Sequence, residues 1–126
     1  MKVAVLFIMI FLHLLADYNF QGILADLKQK EWWRKNAPQP LYKKDYKVAL
    51  LTHGFMWSFL MLLPLLVVAS APIHWFALVL LYVVNTLLHA GIDDLKANEH
   101  CINLMEDQIL HLVQVVGSWL VFYIVC

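Results

Sequence analysis

Charge is scarce in this chain. Of its 126 residues, 14% are Asp, Glu, Lys or Arg and 63% are hydrophobic, whereas a soluble domain usually carries about 25% charged residues. Mean hydropathy is strongly positive. An ordinary water-soluble domain is therefore not the expected class. The length suggests one domain, with lipid over much of its surface. Cysteine is scarce as well. Cys101 lies in a polar turn and Cys126 closes the chain, with no CxxC spacing, so neither a disulfide framework nor a zinc knuckle is expected. Low-complexity tracts are absent, and nothing repeats except the spacing of a few His and Asp residues. A secretory signal needs a basic leader and a small-residue cleavage site. Only Lys2 precedes the first apolar run and Asp17-Tyr18-Asn19 follows it, so cleavage is not expected.

What the chain does have is four apolar runs, at about residues 3–20, 48–70, 73–93 and 107–126. Crossing about 30 Å of hydrocarbon takes about 20 residues at 1.5 Å per residue. The first run is somewhat short, and Pro64 in the second is of a kind that membrane helices tolerate. The pattern predicts an all-α protein: a four-helix transmembrane bundle. Between the first two spans, residues 22–47 interleave Ile23, Leu24, Leu27, Trp32 and Trp33 with Lys28, Lys30, Arg34 and Lys35. This predicts an amphipathic helix lying at the bilayer surface, ended by Pro38 and Pro40. Tyr42 and Tyr46, flanked by Lys43, Lys44 and Lys47, mark re-entry at headgroup level. A basic, aromatic stretch can also hold nucleic acid, but lysines snorkelling beside an aromatic belt account for it. No nucleic-acid partner is expected.

Four alternating spans put residues 22–47 and the 94–106 turn on one side. That side carries Lys28, Lys30, Arg34, Lys35, Lys43, Lys44, Lys47 and Lys96, and the other carries only Lys2. The positive-inside rule makes the basic side cytoplasmic, with both termini outside. A bacterial inner membrane is the expected location.

The same topology gathers ionisable residues that are rare in membrane helices and usually functional there. His13 and Asp17, His89 and Asp93, and Asp107 and His111 are each four residues apart, and so share a helix face. All three pairs, with His53, fall at the cytoplasmic end. Four His and three Asp on four helix ends suit a metal site inside a bundle. Mixed imidazole and carboxylate suit zinc foremost, or manganese or iron, better than calcium or magnesium. Seven candidates exceed the three protein ligands of a catalytic zinc. Either some Asp residues orient the His ligands, or one bridges two ions about 3.5–4 Å apart. A bound divalent ion would bring the pKa of its water towards about 7, and an unligated Asp17, Asp93 or Asp107 would serve as base. The plainer alternative is that each His–Asp pair clasps neighbouring helices by hydrogen bonds. Asn85 and Gln114, one turn deeper, suit such helix-to-helix bonds. His74 and His100 read as surface residues, and Trp57 and Trp75 as packing or anchoring rings.

Three runs, H-L-L-A-D-Y-N-F-Q from His13 to Gln21, H-A-G-I-D-D-L-K from His89 to Lys96 and D-Q-I-L-H from Asp107 to His111, resemble small bacterial and phage membrane proteins of the domain-of-unknown-function family 3307. The layout is also similar to that of membrane-bound metal-dependent hydrolases carrying H-x-x-x-D on their helices. The resemblance implies hydrolase chemistry through His13, Asp17, His89, Asp93, Asp107 and His111, and implies no substrate. His53 joins the set from topology alone. The expected function is thus metal-dependent hydrolysis of a lipid or lipid-phosphate-like amphiphile. Lys28, Lys30, Arg34 and Lys35 are expected at its headgroup, membrane lipid is the partner, and a homo-oligomer is an option. The rival is a non-enzymatic module, binding or carrying ions or remodelling an envelope, with a holin as a weaker variant. The nearly apolar outer halves of the helices count against a channel made by one chain.

Overall fold

The computed structural model describes residues 1–125, which are all-helical with no strand; Cys126 lies outside the described residues. In chain order the elements are α1 (Lys2–Tyr18), α2 (Leu24–Leu27), α3 (Lys30–Asn36), a 3-10 turn (Pro40–Tyr42), α4 (Asp45–Val68), α5 (Pro72–Ala97) and α6 (Leu104–Val125). The four long helices close a ring, each packed on the next in the order α1, α4, α5, α6 and back to α1. Three helical segments, ending in α4, α5 and α6, are long and apolar enough to cross a membrane. The 17 residues of α1 rise only about 26 Å at 1.5 Å each, short of a full hydrocarbon core.

Each long helix buries one stripe in steps of three and four residues, the spacing that keeps side chains on one face. The stripes run Val5, Met9, His13, Ala16 on α1 and Leu50, His53, Trp57, Met61, Leu65 on α4. They continue as Leu78, Leu81, Asn85, His89, Asp93 on α5 and Asp107, His111, Gln114, Ser118, Phe122 on α6. Residues facing away from the bundle, such as Phe7, Phe55, Phe76 and Val113, are apolar and exposed. Where an exterior is this apolar, helices associate through close packing and polar contacts. Gly54 supplies the close packing. A Cβ at this position would lie 2.7 Å from the Thr86 carbonyl oxygen of α5, so only glycine lets the two helices approach this far.

Helix α4 continues through Pro64. Pro72 opens α5, where its missing N–H is no loss. His74, read from the sequence as a surface residue, ties down the start of the same helix. Its Nδ1 accepts the backbone N–H groups of Ser70 and Ala71, at 2.8 and 3.1 Å.

Residues 22–47 differ from the single amphipathic helix that the sequence suggests. They form α2, α3 and the 3-10 turn, because Gln29 between the two helices is extended (φ −94°, ψ 123°). The Trp33 indole N–H donates to the Leu27 carbonyl across the break, at 2.7 Å. Gly22 takes the left-handed conformation (φ 54°) between α1 and α2, which packs on α4; glycine adopts it without strain. The fold turns Lys28 inward.

Candidate metal centre

One end of the four buried stripes carries the ionisable residues, and the bundle brings them together. His13, His53, His89, Asp93, Asp107 and His111 are all buried, and the Asp17 side chain is only 8% exposed. Asp17 Oδ1 lies 3.4 Å from His53 Nε2 and 3.7 Å from His89 Nε2. Asp93 Oδ2 lies 3.6 and 3.8 Å from the same two nitrogens. Ligands about 2.0–2.2 Å from a tetrahedral zinc are about 3.3–3.6 Å from one another, so these spacings are close to those of ligands around one ion. The other oxygen of Asp93, Oδ1, lies 3.3 Å from His111 Nε2, which is also 3.4 Å from Asp107 Oδ1. Two groups, Asp17–His53–His89 and His89–Asp93–His111, can each hold a metal ion. Asp93 faces both with different oxygens.

The donor atoms are free to bind. His53 Nε2, both nitrogens of His89, His111 Nε2, Asp17 Oδ1 and Asp107 Oδ1 are buried without a hydrogen-bond partner in the protein. Buried polar groups are almost always paired, so this concentration needs a reason, and a shared cation would supply one.

A hydrogen-bond chain presets one imidazole. Asn85 Nδ2 donates to Ser118 Oγ and to the Leu81 carbonyl, both at 2.8 Å, which leaves its Oδ1 to accept from Gln114 Nε2 at 3.2 Å. Gln114 Oε1 is then turned to His111 Nδ1, 3.0 Å away. An amide oxygen can only accept, so a neutral His111 carries its proton on Nδ1 and offers the Nε2 lone pair to the site. Supporting bonds of this kind fix the tautomer of metal-binding histidines. The residues expected to join helices therefore also aim a ligand.

His13 and Asp107 stand at the edge. His13 Nδ1 accepts the Trp57 indole N–H at 2.9 Å, so a neutral His13 carries its proton on Nε2 and belongs to neither metal group. Asp107 Oδ2 accepts from Lys96 Nζ at 2.7 Å and Gln108 Nε2 at 3.1 Å. Trp57, expected only to pack, is the floor. Its ring stacks on His89 at 4.2 Å, and His89 stacks on His111 at 4.1 Å, which holds both imidazole planes against the apolar core.

Lys28 is the largest surprise. It is 6% exposed, and its Nζ donates to Asp93 Oδ2 at 2.7 Å instead of reaching outward to a headgroup. Of the other cations expected there, Lys30 pairs with Glu99 and Arg34 with Glu31, and Lys35 is exposed. The hydrogen bond between the side chains of Lys30 and Glu99 raises the lysine pKa and lowers that of the carboxyl. Nothing in the sequence separates Lys28 from its neighbours. Lys96, by contrast, sits one turn beyond Asp93 on α5.

A cavity of ≈ 180 Å³ lies beside the cluster, lined by Asp17, Gln21, Lys28, Asp93, Lys96 and Gln108, with the exposed Tyr18 and Leu104 at its rim. At about 30 Å³ per water, it has room for a small polar group and not for an acyl chain. Its walls thus offer two carboxylates, two ammonium groups and two amides, with Lys28 hydrogen-bonded to Asp93 and Gln108 to Asp17. No family model, curated protein or solved structure matches the chain.

Proposed function

We propose that the chain is a four-span bundle, with α1 as the shortest span and both termini outside. Its cytoplasmic end would hold a metal-dependent hydrolytic centre for an amphiphile of the lipid-phosphate kind. The observation that carries this is the convergence of buried, unpartnered imidazole nitrogens and carboxylate oxygens at distances of 3.4–3.7 Å, with Asp93 between the two groups. Asp17, His53 and His89 would hold one ion, preferably zinc, and Asp93 would face a second position with His111. A metal held there supplies a water nucleophile at neutral pH. Asp107, outside both groups, is the carboxylate left to take a proton. Lys28 and Lys96 would sit beside an anionic group entering the cavity, and the tail would stay outside past Tyr18 and Leu104. The motif likeness to family 3307 and to membrane-bound hydrolases agrees with this layout.

The test is elemental analysis of detergent-purified protein, with phosphate release from a short-chain lipid phosphate. Zinc at one or two equivalents is expected, lost in His89→Ala and in His111→Ala while helicity persists. Trace metal in the wild type after equilibration with zinc would sink the proposal.

One observation favours the rival, a non-enzymatic ion-binding or structural module. The Lys28–Asp93 and Lys96–Asp107 pairs already neutralise two of the three carboxylates. Protein that binds zinc yet hydrolyses no phosphate, carboxylate or amide ester of a lipid would support that module.

A further inference from the structure

The geometry points to a second site, a binding groove for one anionic phospholipid on the outer side of α4, separate from the metal centre. Its head end is a cleft of ≈ 680 Å³ between α3 and the start of α4, lined by Arg34, Lys43, Lys44 and Lys47 and backed by Trp33 and Tyr46. Two cations near this cleft have partners, Arg34 with Glu31 and Lys30 with Glu99. Lys43, Lys44 and Lys47 form no ion pair among the described residues. Three exposed ammonium groups converging on one cleft make it strongly cationic, and a phosphate-bearing headgroup has the complementary charge and the size.

The surface below the cleft decides between a lipid and a soluble anion. Lys44, Val48, Leu51, Phe55 and Phe59 follow in steps of four and three and form one nearly straight exposed stripe down α4. At 1.5 Å per residue Phe59 lies about 22 Å below Lys44, close to half the thickness of a bilayer with its headgroups. There the stripe enters an apolar groove of ≈ 410 Å³ between α4 and α5, lined by Phe55, Phe59, Leu66, Trp75, Val79 and Tyr82. The Tyr82 hydroxyl donates to the Phe55 carbonyl at 3.2 Å, so neither of these groups is left free on the groove lining. Lys30 and Glu99 join the start of α3 to the turn after α5, so cleft and groove lie on the same α4–α5 side. An anionic head above and a hydrocarbon chain below fit the two ends together. Inorganic phosphate or glycerol phosphate would use only the first.

Native mass spectrometry of the detergent-purified full chain tests this with phosphatidylglycerol and phosphatidylcholine of identical chains. One phosphatidylglycerol is expected to be retained per chain in preference to phosphatidylcholine. Replacing Lys43, Lys44 and Lys47 together by Gln should weaken phosphatidylglycerol on the order of 10- to 100-fold and leave phosphatidylcholine unchanged. Val79→Trp, which fills the groove, should weaken both lipids alike. Zinc content should be unchanged in every variant, which separates this site from the metal centre. Equal retention of the two lipids, or indifference to the triple substitution, would overturn the proposal. So would displacement of phosphatidylglycerol by an equal concentration of glycerol phosphate, since the groove would then contribute nothing.

Discussion

The two ends of the bundle use the same four helical stripes for opposite purposes. On the apolar side of Trp57, the stripes carry Val5, Met9, Met61, Leu65, Leu78 and Phe122, packed as a core with no buried ion. On the other side they carry His13, His53, His89, Asp93, Asp107 and His111 at the same spacing and the same burial. Burying an apolar side chain needs only a shape to fill. Burying a titratable one needs a partner for each donor and acceptor. The apolar half leaves a single buried hydroxyl, Ser58 Oγ, without a partner, while the unpartnered imidazole nitrogens and carboxylate oxygens all lie in the polar half. That difference separates a scaffold from a site.

The sharpest way to break the comparison is to remove a charge from one half and a volume from the other. Asp93→Ala leaves Lys28 buried without its carboxylate, so a loss of about 3–5 kcal/mol is expected, together with loss of bound zinc. Thermal unfolding in detergent measures the first and elemental analysis the second. Adding Lys28→Met to Asp93→Ala should recover most of the stability and none of the zinc. Met61→Ala in the apolar half should cost about 2–5 kcal/mol by leaving a cavity, with zinc stoichiometry unchanged. If Met61→Ala also strips the metal, the halves are not independent.

Smaller changes sharpen the boundary. Gln114→Leu removes the acceptor that keeps the His111 proton on Nδ1, so zinc affinity should fall about 10- to 100-fold while helicity holds. Zinc titration against a competing chelator reads this, and an unchanged affinity would show that Gln114 only joins helices. Gly54→Ala forces α4 from the Thr86 carbonyl and should cost about 1–3 kcal/mol, with a lesser effect on metal through the adjacent His53.

The smallest effect lies outside both halves. Glu99 has its pKa lowered and Lys30 its pKa raised by their mutual hydrogen bond. Their pairing stabilises the fold fully between the two unfolded pKa values. It fades as pH falls through the lowered pKa of Glu99, or rises through the raised pKa of Lys30. Both groups are exposed, so salt should weaken the effect. Glu99→Gln should flatten this part of the stability profile and leave zinc untouched.

Much of the site was legible because helical periodicity is a local rule. His13 with Asp17, His89 with Asp93 and Asp107 with His111 share faces by spacing alone, and alternating helices place them at one end. Asn85 and Gln114 could be read as interhelical for the same reason. The partners from elsewhere in the chain were not legible. The Trp57–His13 bond spans 44 residues and Lys28–Asp93 spans 65, and no pattern in the sequence marks either. The stretch from Gly22 to Pro38 reads as one amphipathic helix because its composition alternates suitably. Its break at Gln29 is held by Asn98 from the end of α5, which accepts the Lys30 backbone N–H and donates to the Lys28 carbonyl, and by the inward turn of Lys28. Three segments have the length and apolarity that the sequence predicts for crossing a membrane; α1 is shorter, and its polar end is committed to the site.

The lysines set against Asp93 and Asp107 have one more consequence. With neutral imidazoles, three buried carboxylates and two ammonium groups leave the cluster one formal negative charge. A nearly electroneutral cluster costs less to bury than three bare carboxylates, so the bundle can fold without the proposed ion. One divalent ion bound as proposed would reverse the sign to a single positive charge, and a second would leave three. Two ions would therefore be tolerated best with an anion beside them, which makes occupancy of the second position depend on what enters the cavity.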